Sequence, residues 1–274
     1  MKADAGTKLK YRIIKERLLG MLYPRACPVC SKLIRPDFTE LKNVRPGQPF
    51  PEHDPFICPS CAAKLKRCAG MHGCMKCSRP LEDDRAEYCP ECLRTDRQFD
   101  FGIAALIHDE AAGGMIYDLK YKGLRCNADP AAFEMAAALA KTGGKSGSPL
   151  LDADVIIPVP LHRKREFERG YNQAQVLAQE LSFLIELAFA RTIPVDSSYL
   201  ERTSYTPRLK TLAGAERTKG LSGAFRVAGT AGRYKKVLLV DDIFTTGTTL
   251  DECAKTLRQA GVSVIYFITG TIGA

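Results

Sequence analysis

Residues 237–250 read Val237-Leu-Leu-Val-Asp-Asp-Ile-Phe-Thr-Thr-Gly-Thr-Thr-Leu250. An unbroken apolar run passes into two acids and then a hydroxyl-rich turn holding one glycine. Beyond it Leu250, Cys253, Ala254 and Leu257 recur at helical spacing before Gly261. A helix amino terminus offers unpaired amides and a partial positive charge. Gly247 lets the backbone approach an anion closely, and Thr245, Thr246, Thr248 and Thr249 add hydroxyl donors, so the turn reads as a phosphate cradle. Asp241 and Asp242 fall at the carboxyl edge of the sheet, where open α/β folds hold ligands, and can accept hydrogen bonds from two sugar hydroxyls. The Gly-Lys-Ser/Thr ending of a P-loop and the Gly-x-Gly-x-x-Gly of a dinucleotide fold are both missing. Acids that merely capped the strand and helix would leave the glycine and the threonines unexplained.

The same alternation extends outward. Strands are predicted at 101–107, 154–158, 236–240 and 262–268, with helices at 111–120, 172–188 and 250–260. Asp129 and Pro130 read as cap and first residue of an Ala-rich helix ending near Ala140, and 142–149 as a Gly/Ser loop. The fold class is α/β, a mainly parallel sheet flanked by helices. Val159 and Pro160 end a strand on the sheet edge that carries the acids. The basic loop after them, 161–170, places Arg163, Lys164, Arg165 and Arg169 where a diphosphate could sit, unless it is only a solvated charge run. Residues 203–223 are polar and basic and are expected to form a mobile loop.

Toward the amino terminus the texture changes. Four Cys-x-x-Cys pairs, Cys27/Cys30, Cys58/Cys61, Cys74/Cys77 and Cys89/Cys92, are separated by linkers of 27, 12 and 11 residues. Two residues between cysteines let a tight turn aim both sulfurs at one ion, and two such turns complete zinc's tetrahedral shell. Pro28, Pro59 and Pro90 suit those turns. Sequential pairing into two structural zinc sites is preferred over a crossed arrangement, and zinc over redox dithiols. His53 and His72 lie nearby as possible replacement ligands, while Cys68, Cys126 and Cys253 fall outside the pattern as core or surface residues. With few large apolar side chains, residues 25–95 would draw most of their folding free energy from metal. The expected organisation is residues 1–98, a helix with a double zinc ribbon, followed by an α/β domain at 99–274.

At 274 residues and 45% apolar content the chain can build buried cores. Its formal +9 sits mostly in residues 1–99, where 19 Lys and Arg face 12 Asp and Glu, and eight zinc thiolates with two zinc ions would lower it to +5. A basic patch for nucleic acid stays open. The absence of tryptophan makes a base-stacking platform less favoured, and Tyr11, Tyr23 and Phe38 are expected to be packing groups. No apolar run of about 18 residues exists for a membrane span. Lys15, Glu16 and Arg17 interrupt any secretory core, so a cytoplasmic location is expected.

The strand, twin acids and Thr-Thr-Gly-x-Thr turn at 237–250 resemble the phosphoribosyltransferase superfamily. The double cysteine module before them narrows the resemblance to the ComF family. Leu22-Tyr-Pro-Arg-Ala-Cys27, Leu119-Lys-Tyr-Lys-Gly123, Pro158-Val-Pro-Leu-His-Arg-Lys-Arg165 and Arg169-Gly-Tyr-Asn-Gln173 support it. The resemblance implies a type I phosphoribosyltransferase-like fold that binds phosphoribosyl diphosphate with magnesium. Asp241, Asp242 and residues 245–249 would hold ribose and 5-phosphate; Val159, Pro160, Arg163, Arg165 and Arg169 would face the diphosphate. It also implies a role in DNA uptake and natural transformation, with single-stranded DNA or DNA-uptake proteins as partners. The alternative is a catalytic transferase of nucleobase salvage. Where the family pattern has Thr-x-Gln and Arg-x-x-Asn, this chain has Thr206-Pro207-Arg208 and Arg217-Thr218-Lys219-Gly220.

Overall fold

A computed structural model describes residues 4–46, 48–143, 147–204 and 223–273. The amino-terminal third holds helix α1 (Ala5–Leu22), strands β1 (Arg25–Ala26) and β2 (Leu33–Ile34), and short helices α2 (Thr39–Asn43), α3 (Pro59–Ala62) and α4 (Pro90–Arg94). Then follow β3 (Phe101–Ile107), α5 (Glu110–Tyr121), α6 (Ala128–Lys141), β4 (Val155–Pro158), α7 (Arg163–Arg169) and α8 (Gln173–Phe189). The chain closes with β5 (Leu200–Arg202), β6 (Phe225–Val227), β7 (Lys236–Phe244), α9 (Thr248–Gln259) and β8 (Val264–Ile272).

Strands β3, β8, β7 and β4 lie in that order and every pairing is parallel. Val195 adds a parallel bridge outside β4 at Ile156. Because strand side chains alternate, β7 feeds two cores. Leu238 and Val240 pack with α6 and α8 on one face, and Val237 and Leu239 pack with Leu250, Cys253, Ala254 and Leu257 of α9 on the other. Both faces are covered, which is why the β7 sequence is apolar without alternation. The predicted α/β class therefore stands.

Three local expectations change. Segment 161–170 is not a loop: it contains α7, capped by His162, whose Nδ1 accepts from the Lys164 amide at 3.2 Å, and closed by Gly170 at φ 77°. Asp129 does not cap α6, which starts at Ala128; its carboxylate is taken by ion pairs with Arg12 and Arg25. Tyr11 and Tyr23 are 71% and 78% exposed and are not packing groups, unlike buried Phe38, which meets Phe56 edge-on at 5.6 Å.

The amino-terminal module and the sheet share one core, in which Leu9, Ile13, Cys27, Phe38, Phe56 and Cys61 cluster with α6 and α8 residues. Ion pairs stitch the same seam. Arg12 also reaches Glu180, Lys8 binds Glu186 at 2.7 Å, and the Arg12 and Arg25 guanidiniums lie over the Phe56 ring at 5.4 and 4.3 Å. Truncating Asp129 to Ala would strand two mostly buried guanidiniums. A loss of about 3–5 kcal/mol is expected in urea unfolding, and a change under about 1 kcal/mol would refute the seam's importance.

Candidate functional site

Strand β7 sits inside the sheet and its ladder with β8 continues through Phe244↔Ile272. The two acids are therefore inside the strand, not beyond it. Asp242 is buried on the α5 side, where Oδ1 pairs with Lys120 Nζ at 2.6 Å. Its Oδ2 is buried with no hydrogen-bond partner among the described residues, as is Thr269 Oγ1. His108 and Thr271 close this side through Nδ1 and Oγ1 at 3.0 Å. Burial and then the nearby Lys120 charge depress the His108 pKa. Asp241 is half-buried and accepts from the Asp242 amide at 2.9 Å. Burial, then the Asp242 charge, pushes its carboxyl up to about 7 against the pull of Lys120 and Arg202.

After β7 the chain turns at Gly247, φ 76°, which occupies the cap position of α9 without a side-chain cap. A Cβ there would come within 2.6 Å of Phe244 Cζ, so glycine is required by space as well as by φ. Thr246 and Thr248 hydroxyls meet at 2.9 Å, and the first-turn amides of α9 are those a helix leaves unpaired. Thr245 is exposed and Thr249 half-buried in this cradle.

The basic segment is brought to the same edge as a helix. Arg163 is exposed and Arg165 half-buried; burial and then the Arg165 charge lower the pKa of Arg202 on β5. Arg169 is braced, donating to Gln173 Oε1 at 2.8 Å and lying over Tyr121 at 5.1 Å. Val159 uses both backbone groups inside the fold: its amide donates to Val240 O at 2.9 Å and its carbonyl accepts from Asn172 Nδ2 at 3.0 Å. Pro160 has no amide to give. Any direct ligand contact on this side thus falls to side chains of α7.

The cysteines gather as two groups, Cys27, Cys30, Cys58 and Cys61, and Cys74, Cys77, Cys89 and Cys92, with all sulfurs of a group within 4.8 Å of one another. Sulfur separations of 3.7 Å for Cys30–Cys58 and Cys77–Cys89 match the roughly 3.8 Å edge of a tetrahedron with about 2.3 Å Zn–S bonds. Both groups could bind zinc, in the sequential pairing. Two knuckles share one turn: the Ser31 amide donates to Cys27 O and the Ser78 amide to Cys74 O, with the serines at φ 60° and 57°. Pro59 and Pro90 open the helical turns of the other two. His53 instead contacts Glu40 and His72 the Ala86 carbonyl.

Residues 168–270 match the family model described as phosphoribosyl transferase domain. Competence protein F of Haemophilus influenzae is 30% identical over 217 residues, covering 76% of this chain and 87% of that protein. The chain belongs to the ComF family. Competence protein ComFC of Bacillus subtilis is 23% identical over 250 residues, 88% of this chain and 92% of that protein. DNA utilization protein YhgH of Escherichia coli K12 is 25% identical over 239 residues, 87% and 86%.

In this ComF-family chain the structure adds residues that the sequence reading missed. Lys120 lies in a stretch quoted only for resemblance, and His108, Arg202, Thr269 and Thr271 carry no local signal. The family positions at 206–208 and 217–220 lie outside the described residues.

Proposed function

We propose that this protein binds phosphoribosyl diphosphate with magnesium at the carboxyl edge of its sheet and serves in handling incoming DNA. The observation that carries the ligand reading is the buried, unpartnered Asp242 Oδ2 beside a glycine turn that opens a helix. A native interior rarely leaves a carboxylate oxygen without a partner unless something binds there. The turn 245–249 receives the 5-phosphate, Asp241 and Asp242 accept from the ribose hydroxyls, and Arg163, Arg165 and Arg169 face the diphosphate behind the Val159–Pro160 turn. Magnesium, held through Asp241 or Asp242, would neutralise charge on the diphosphate. The chain's own part is positioning and electrostatic stabilisation of charge as diphosphate departs.

Two zinc ions in the four-cysteine groups would hold residues 1–98 as a unit on the transferase-like unit 99–274. The uptake role rests on the names of the relatives, competence and DNA utilization proteins. On α1, exposed Tyr11, Ile14, Leu18 and Leu22 lie opposite buried Ala5, Leu9 and Ile13 and are flanked by exposed Lys10, Lys15 and Arg17, which suits single-stranded DNA or a DNA-uptake protein. No helix of the described residues is long and apolar enough to cross a membrane, and we place the protein in the cytoplasm.

Calorimetry with phosphoribosyl diphosphate and magnesium checks the site. Wild type should give saturable heat, and Asp241→Asn/Asp242→Asn should lose at least about tenfold in affinity, about 1.4 kcal/mol. Equal heats would remove the reading. Diphosphate release that requires a particular nucleobase would move it to catalysis in salvage.

A further inference from the structure

The rear of the phosphate turn is not made by the transferase-like domain. Arg79 follows directly from the Cys74–Cys77 knuckle, where its carbonyl accepts from the Cys74 amide at 2.8 Å. Its guanidinium donates through Nη2 to the Thr245 carbonyl and through Nη1 to the Gly273 carbonyl, the latter at 2.6 Å. Arg97, only 8% exposed, donates through Nη2 to the Thr246 carbonyl at 2.7 Å. The next amide, that of Gln98, donates to Asp251 in the first turn of α9 at 2.7 Å. The second cysteine module therefore holds consecutive carbonyls of the turn and the helix that follows it.

The geometry of the peptide unit gives this a directional consequence. In a trans peptide the C=O and the following N–H point in opposite directions. Arg79, by holding the Thr245 carbonyl, aims the Thr246 amide away from the module. Arg97 does the same for the Gly247 amide through the Thr246 carbonyl. Two amides then face the open side of the turn, and two guanidiniums stand behind it.

We propose that Arg79 and Arg97 are positioning residues through which the second cysteine module shapes the pocket for a sugar phosphomonoester. This rests on the sugar-phosphate reading above and deepens it: the module is needed for the 5-phosphate end of the ligand, not for the diphosphate end. It also explains a physical role for fusing the two units, since the turn lacks internal partners for these carbonyls.

The test uses full-length, zinc-loaded protein and three probes with magnesium: ribose 5-phosphate, inorganic diphosphate and phosphoribosyl diphosphate. Arg79→Ala/Arg97→Ala should weaken ribose 5-phosphate and phosphoribosyl diphosphate by about thirtyfold, the scale of two charge-assisted hydrogen bonds lost from a partly exposed site. Diphosphate affinity should stay within about twofold, the usual scatter for an uncoupled site. Arg97→Lys, which keeps one donor, should recover part of the loss and decides the matter if the double variant does not fold. Wild type that binds none of the probes sinks the sugar-phosphate reading itself. Wild type that binds, with both Arg97→Lys and the double variant matching it on ribose 5-phosphate, overturns only the positioning role. An equal loss on diphosphate also overturns it, because the effect would then not be confined to the phosphomonoester.

Discussion

Cys77→Ser should cost this protein one zinc ion, its second cysteine module and the order of a sheet edge. Cys77 is 0% exposed and stands 3.7 Å from Cys89 within a complete tetrahedral set. A structural zinc contributes on the order of 10 kcal/mol of folding free energy to a segment with so little apolar core. The damage should spread because β3 is an outer strand whose free edge this module covers. The Gly102 amide donates to Lys76 O at 3.0 Å, the Ala104 amide to Ser78 Oγ at 3.0 Å, the Cys68 amide to Ala105 O at 2.9 Å and the Ile107 amide to Lys66 O at 2.8 Å. Metal analysis should fall from about two zinc per chain to about one. Hydrogen exchange should show lost protection along β3, with a melting temperature lower by at least about 10 °C. Cys126→Ser, at an exposed cysteine outside both groups, is the matched control. Two retained zinc ions with an unchanged melt would show that the sulfurs gather for another reason.

Asp241→Asn and Asp242→Asn should move stability in opposite directions at pH 8, although the chemical change is the same. Asp241 carries its carboxyl up from 3.8 to about 7, chiefly through burial. The folded state then keeps a proton that the unfolded chain has released. Its contribution is complete below about pH 4, declines as pH rises, and is gone above about pH 7. Removing the charge should therefore stabilise the protein at pH 8 by up to about 4 kcal/mol, as an upper bound, and change little at pH 4. Asp242 is the counterion of Lys120, which is only 18% exposed. Neutralising it leaves a buried ammonium unpaired and should destabilise by about 3 kcal/mol. Urea unfolding of both variants at the two pH values reads the contrast, and shifts of the same sign at pH 8 would refute it. A gain in stability paired with lost ligand binding for Asp241→Asn is the trade expected of a site held against its own folding preference.

Some of what the sequence left unread was legible. Arg163-Lys-Arg-Glu-Phe-Glu-Arg169 is built largely of good helix formers and is followed by glycine, the combination of propensity and left-handed cap that ends helices, yet its charge suggested a loop. The cap reading of Asp129-Pro130 failed for another reason. Nothing within a few residues announces that Arg12 and Arg25, more than a hundred residues earlier, claim that carboxylate.

By itself the sequence determined whatever depends on neighbours along the chain. The apolar run of β7 requires a strand, Gly247 a left-handed turn, and two-residue spacing between cysteines a knuckle, because backbone geometry and metal bite act over a few residues. Only the tertiary structure decided what each side chain faces. The ladder with β8 carried β7 through both acids, and burial against α5 set Lys120 on Asp242. The packing of the second cysteine module on α9 put Arg79 and Arg97 behind the phosphate turn. Charge and hydrogen bonding act through space, and the partners that tune this site lie up to 166 residues away in the chain.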